Sequence, residues 1–243
     1  MKRFLLIIVI LFFISCDKEC SEELGLIVTK EYTVEEFDQV IANIGIELTI
    51  IDAAEQKLLV ETGENRLDNL HISVTDGVLE LQADPACSLR PSLDPVKVIV
   101  STPNLTMIRN SSEYTLKSSG VLNFPNLKIF TENYQSDYTN LGEFDLEVVS
   151  ENIQIVSNGL ARIKIKGTTT NLRLSYHAGI GKFEGRNLIA QNVIVYHKGE
   201  NKLEVNPQQS LTGNLYATGD LISYHHPETV EVTQHFFGKL IFK

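Results

Sequence analysis

The chain has 243 residues, 21 Lys+Arg against 31 Asp+Glu, and a formal net charge of −10. That acidity repels polyanions and no local Lys/Arg cluster offsets it, which argues against nucleic acid as a partner. Three cysteines without Cys-x-x-Cys or Cys/His ligand spacing give no support to a structural zinc site, and no metal or other cofactor is expected.

Lys2 and Arg3 form a short basic region ahead of an apolar run from Phe4 to Ile14. The run falls short of the roughly 20 residues that a transmembrane helix needs, but it suits the core of a signal peptide. Phe13-Ile14-Ser15-Cys16 resembles a bacterial lipobox, so residues 1–15 are expected to be removed and Cys16 lipidated. Cys20 and Cys87 then remain as an even pair, able to bridge in an oxidising compartment. Residues 16–30 are polar and acidic at first and read as a flexible tether.

From Glu31 onward strand signals dominate: EYTVEEFDQVIA, GIELTII, KLLVET, HISV, VLELQ and VKVIVS. They are short, β-branched and alternating, and Gly, Asn, Asp or Pro separates them. Asp76-Gly77 between two such runs predicts a hairpin with a type I′ turn. ADPACSLRPSLDP, residues 83–95, holds three prolines and is expected to be a loop. No long stretch shows the apolar spacing of an amphipathic helix. Residues 31–243 are expected to form one all-β domain.

The second half repeats. Glycines fall at Gly159, Gly179, Gly199 and Gly219, each twenty residues after the last, and Gly238 follows. Tyr176, Tyr196 and Tyr216 keep the same period, with Phe236 next in phase. Such a period marks a stacked array, and at about 3.3 Å per residue it allows one turn of a β-helix with two or three short strands. The expected fold is a right-handed parallel β-helix or solenoid-like stack with coils of about 20 residues. Residues 31–100 alternate more like a hairpin-rich β cap at its N-terminal end. Tyr176, Tyr196, Tyr216 and Phe236 would then form a ladder, and the repeated glycine would occupy a corner of positive φ.

Several short segments occur in a telling order: Phe37-Asp38-x-Val40, Gly45-Ile46-x-Leu48-x-Ile50, Glu64-Asn65, Asp76-Gly77-Val78-Leu79-x-Leu81, Val96-x-Val98-x-Val100 and Pro103-x-Leu105. Together they resemble the head GIN domain, an adhesin family common among lipoproteins of Gram-negative bacteria. The resemblance implies repetitive β structure and a place in the cell envelope, and it brings no catalytic residues. Asn110-Ser111-Ser112-Glu113 stands where the family has Ser-Gly-rich turns. No C-terminal segment reads as a membrane barrel, so the lipid is expected to take its place.

The Tyr-His pairs Tyr176-His177 and Tyr196-His197, with Tyr216, are the candidate binding ladder. Stacked outward they could offer aromatic faces to sugar rings, and the two His could share a metal. Turned inward, the tyrosines would be core and send their hydroxyls to corner backbone groups. NVIVYHKG is apolar on both parities and leaves the two readings open. Asp137, Glu143 and Glu184 could serve a carbohydrate-active enzyme, but they form no compact motif. No enzyme is therefore expected.

The leading expectation is a lipid-anchored binding or adhesion module on the outer membrane, facing outward and taking a glycan or protein ligand. A structural lipoprotein on the periplasmic side is the alternative. Asp17 directly after Cys16 resembles an inner-membrane retention signal, whereas the acidic cluster that includes Glu19, Glu22 and Glu23 resembles a surface-export signal.

Overall fold

A computed structural model describes residues 24–85, 94–134 and 138–243. Within them lie seventeen strands and one 3-10 turn at Glu64–Asn69. The first part contains β1 (Ile27–Tyr32), β2 (Gln39–Ala42), β3 (Ile46–Asp52) and β4 (Lys57–Gly63). A hairpin follows, β5 (Leu70–Thr75) and β6 (Val78–Ala83), turning through Asp76 and Gly77, both at positive φ. This is the turn that Asp-Gly predicts, because two consecutive positive φ values match the twist of the flanking strands. The next described strand is β7 (Val96–Thr102); residues 86–93 of the segment expected to be a loop lie outside the described residues.

Next come β8 (Met107–Asn110), β9 (Leu116–Leu122) and β10 (Asn126–Thr131). Four long strands follow: β11 (Phe144–Ser157), β12 (Arg162–Tyr176), β13 (Lys182–His197) and β14 (Leu203–Leu215). Three short ones end the chain, β15 (Leu221–Ser223), β16 (Thr229–Gln234) and β17 (Leu240–Phe242). Each long strand runs parallel to the next, so Ile153 lies beside Leu172, Leu172 beside Val193 and Val193 beside Leu211. β15 and β16 continue the two halves of β14, and β17 continues β15.

The sheet is mixed rather than purely parallel, because β1–β4, β4–β7 and β5–β6 are antiparallel. The N-terminal cap also departs from expectation. β2 lies in parallel between β6 and β8, and β3 between β7 and β9. Residues far apart in sequence thus become neighbours, Ile46 beside Val96 and Thr49 beside Lys117. Apolar inward positions such as Leu48 and Ile50 extend the common core there, and antiparallel β4 adds Leu58 and Val60 to it, whereas β1 and β5 remain as antiparallel flanks.

The long strands bend, and burial records where. In β11 the buried positions are 144, 146, 148 and 150, then 153, 155 and 157. A straight strand keeps one parity on one face, so the switch after Ser150 marks a corner. Inward side chains from both halves meet in one core that includes Phe144, Leu146, Leu172, Leu174, Phe183, Val193 and Val195. Each fully buried Leu, Val or Phe contributes about 1.5–3 kcal/mol relative to exposure.

The repeated glycines serve two needs, not one. Gly179 alone of the five has positive φ, +82°. Gly199, Gly219 and Gly238 have ordinary backbone angles but sit against the preceding turn. A Cβ on Gly219 would lie 2.8 Å from the Gly199 oxygen, and one on Gly238 would lie 2.3 Å from the Gly219 oxygen. Close stacking of turns, more than backbone freedom, therefore explains the period.

The outer face of the first strand halves neutralises itself. Lys164 pairs with Asp145 at 2.8 Å, Lys166 with Glu147 at 2.9 Å, and Arg162 and Lys182 both with Glu184 at 2.7 and 2.9 Å. All but Lys182–Glu184, which lies within β13, join neighbouring parallel strands, where opposite charges side by side stabilise one another.

Candidate functional site

The candidate ladder splits in two. β12 and β13 start in a twenty-residue register, Lys164 beside Glu184, but an extra residue between Glu184 and Leu188 lengthens it. Beyond that bulge Gly167 pairs with Leu188 and Tyr176 with His197, twenty-one apart. An odd offset exchanges the two strand faces. Tyr176 is consequently fully buried and lies edge-on to buried His197, with ring centres 6.1 Å apart. His177 turns outward against Tyr196 at 5.1 Å. The two histidines thus point to opposite sides of the sheet and cannot share a metal. Among the described residues no group of three His, Cys, Asp or Glu could hold one.

Outside, five rings form a continuous row: Tyr134–His177 at 6.1 Å, His177–Tyr196 at 5.1 Å, Tyr196–Tyr216 at 5.1 Å and Tyr216–His235 at 4.4 Å. Tyr196 and Tyr216 are 37% and 39% exposed. Phe236 is exposed and packs on Phe237 instead of joining the row. Within the core, the Tyr176 hydroxyl has no hydrogen-bond partner among the described residues, in place of the expected corner contact, and burial pushes its pKa up. Ser157 precedes it in the same inward column and Leu215 follows His197 there.

His197 is held neutral. The Gly199 N–H donates to Nδ1 at 3.3 Å, and Nε2 donates to the Asn201 carbonyl at 2.9 Å. Burial lowers its pKa, against smaller upward effects from Asn201 and Asp220. Unfolded His takes up its proton near pH 6.5 and the folded one only at lower pH. The stabilising contribution is therefore complete above about pH 6.5 and is lost as pH falls through the lowered folded value. Urea midpoints of the wild type are expected to fall over that range more steeply than those of His197→Gln; parallel pH profiles would contradict the assignment.

Beside the aromatic row runs a ladder that the twenty-residue search does not detect. Asn126, Asn152, Asn171 and Asn192 occupy one outward column of β10–β13. Asn152 Nδ2 donates to Asn126 Oδ1 at 2.8 Å, Asn171 to Asn152 at 2.9 Å, and Asn192 to Asn171 at 3.2 Å. Ser210 Oγ closes the series on Asn192 Oδ1 at 2.8 Å. The sequence signal is Asn-aliphatic-x-aliphatic, as in NLKI, NIQI, NLRL and NVIV. Its spacings of 26, 19 and 21 residues hide it from a fixed-period search.

Two residues along each strand lies a second outward column, Lys128, Gln154, Arg173 and Ile194. Between the columns is an open groove of about 350 Å³ with a largely apolar floor. At one end of this sheet the Arg109 guanidinium is buried between the Phe130 and Tyr138 rings, its Cζ 5.4 and 4.3 Å from their centres. It holds Glu132 through the backbone oxygen at 2.7 Å and a carboxylate oxygen at 2.5 Å. Burial raises the Glu132 pKa, but the Arg109 hydrogen bond, the Tyr134 N–H and the Arg109 charge together hold it low.

Two of the enzyme candidates, Glu184 and Glu143, lie among the described residues. Glu184 is held at a pKa of about 2, chiefly by its Arg162 hydrogen bond and secondarily by Lys182, so it cannot donate a proton near neutrality. Glu143 is exposed and acts on Arg162 through its charge. Asp137 lies outside the described residues, as do Cys16, Cys20 and Cys87. Among the described residues no helix is long and apolar enough to cross a membrane.

A family profile described as "Putative auto-transporter adhesin, head GIN domain" matches residues 36–227. No curated protein matches the sequence. Solved structures share the fold at low identity. A "putative adhesin" from Bacteroides fragilis superposes with a TM-score of 0.77 at 19% identity, covering 92% of this chain and 98% of that one. A "Putative lipid binding protein" from Parabacteroides distasonis gives 0.61 at 16% identity, covering 89% and 97%. A "putative adhesin" from Parabacteroides merdae gives 0.53 at 13%, covering 89% and 97%.

Proposed function

The chain belongs to the head GIN domain family of auto-transporter adhesins, and from that premise we propose that it is a non-enzymatic binding module of the cell envelope. Its binding surface is the outward face of β10–β14, where the groove, the asparagine ladder and the aromatic row lie side by side. The observation that carries this reading is the outward row of contacting rings, since exposed aromatic side chains in a contiguous strip mark interaction surfaces. The strands of β11–β17 wind as a right-handed parallel β-helix, which presents that face as one extended strip. The parallel register of neighbouring strands supports this winding.

Lipid attachment at Cys16 after loss of residues 1–15 tethers the domain through the residues between Cys16 and β1, which takes Ile27 to Lys30 of the expected tether into the sheet, and a Cys20–Cys87 bridge fastens the tether to it. The adhesin family favours the outer membrane and the cell surface over the periplasmic side. Antibody labelling and protease shaving of intact cells, against a lysed control, test the address. Labelling of intact cells is the expected result, and Cys16→Ser is expected to shift the protein to the soluble fraction. Protection until lysis overturns the surface reading in favour of a structural role facing the periplasm.

A further inference from the structure

We infer that the groove between the asparagine ladder and the Lys128–Arg173 column binds an acidic polysaccharide, a chain of sugars carrying carboxylates. This rests on the proposal that the same face is the binding surface. Three features of the groove converge on this ligand class.

The first is charge. On the face of the first strand halves Arg162, Lys164, Lys166 and Lys182 all have carboxylate partners. Lys128 and Arg173 make no ion pair among the described residues, although the chain as a whole is acidic. They occupy one column with Gln154 between them, which sets them two strand spacings apart, roughly 10 Å. Two unpaired cations at a fixed interval suit a repeating anion, and the guanidinium can grip a carboxylate by two parallel N–H bonds.

The second is polarity. Asn152, Asn171 and Asn192 each spend the oxygen and one N–H within the ladder, and Asn126 spends its oxygen, which leaves at least one N–H on every amide for a ligand hydroxyl or ring oxygen. The ladder bonds also hold these amides in place before any ligand arrives, so little side-chain entropy is lost on binding.

The third is shape and apolarity. A pyranose ring is apolar on its C–H faces and polar at its rim. The groove has a largely apolar floor and polar edges. Tyr196 stands two residues beyond Ile194 on the same strand, roughly 7 Å along it, and adds an aromatic face with the tilted Tyr216 ring beside it, centres 5.1 Å apart. An acidic peptide would meet the cations equally well but has no use for a row of aromatic faces beside an amide ladder.

The test is binding of the full-length protein to immobilised polygalacturonate, with dextran as the uncharged polysaccharide and poly-L-glutamate as the non-sugar polyanion. The wild type is expected to bind polygalacturonate, more weakly as salt rises, and to ignore dextran. Lys128→Ala/Arg173→Ala is expected to weaken binding by about tenfold or more, and Tyr196→Ala/Tyr216→Ala also to weaken it. Lys164→Ala/Lys166→Ala, on the neutralised face, is expected to leave binding unchanged. Equal binding by the Lys128/Arg173 variant, equal capture on poly-L-glutamate, or no capture on polygalacturonate overturns the inference. A protein that labels on intact cells yet ignores polygalacturonate refutes this ligand alone; protection until lysis refutes the surface reading, whatever the beads show.

Discussion

Tyr176→Asp is expected to unfold the domain, while Tyr196→Asp, at the same step of the neighbouring repeat, leaves it folded. Tyr176 is fully buried in the hydrophobic core beside neutral His197, and its hydroxyl has no hydrogen-bond partner among the described residues. A carboxylate placed there would be buried without a counter-charge, which costs more than about 4 kcal/mol, against a total stability of about 5–15 kcal/mol for typical domains. Tyr196 is 37% exposed and its replacement meets water, so the change in stability stays within about 1 kcal/mol. Tyr176→Phe completes the set. It removes an unpaired buried hydroxyl, whose desolvation costs about 1–3 kcal/mol, and is expected to be neutral or stabilising. Urea unfolding followed by circular dichroism measures all three. If Tyr196→Asp were as damaging as Tyr176→Asp, the split of the ladder would be wrong.

The second large effect concerns Gly179. Gly179→Ala is expected to cost about 3 kcal/mol, combining about 1–2 kcal/mol for an L-residue at positive φ with the strain of overpacking. The added Cβ would lie 2.4 Å from the Gly159 backbone oxygen, and backbone cannot yield as a side chain can. Gly199→Ala has an ordinary φ and a milder contact of 3.1 Å with the Gly179 oxygen. Its cost is expected to be about 1 kcal/mol. Equal losses at the two positions would show that neither the positive φ nor the closer stacking at Gly179 sets its demand for glycine.

Much of the fold is legible in particular residues. Asp76-Gly77 specifies its hairpin, and β-branched alternation announces an all-β chain. The glycine period is real as well, and the segments from Phe37 to Leu105 point to the right family. What misleads is the assumption that one period governs every side chain. Tyr176 and Tyr196 are twenty residues apart and look equivalent, yet one is core and the other faces water.

Local sequence thus determines the β class, the turns and the glycine-dependent stacking, because those depend on the conformational limits of a few adjacent residues. Tertiary structure alone decides three further matters. It sets the bulge between Glu184 and Leu188, where one extra residue exchanges inward for outward along the rest of the strand. It inserts β2 and β3 between strands that lie far from them in sequence, since inward positions such as Leu48 and Ile50 can join the core at any level that buries them. It brings Asn126, Asn152, Asn171 and Asn192 into one ladder beside Lys128 and Arg173, although their spacing along the chain is irregular. In a stacked sheet, hydrogen-bond register and not residue count selects neighbours, and loops of unequal length between strands leave that register invisible to a fixed period.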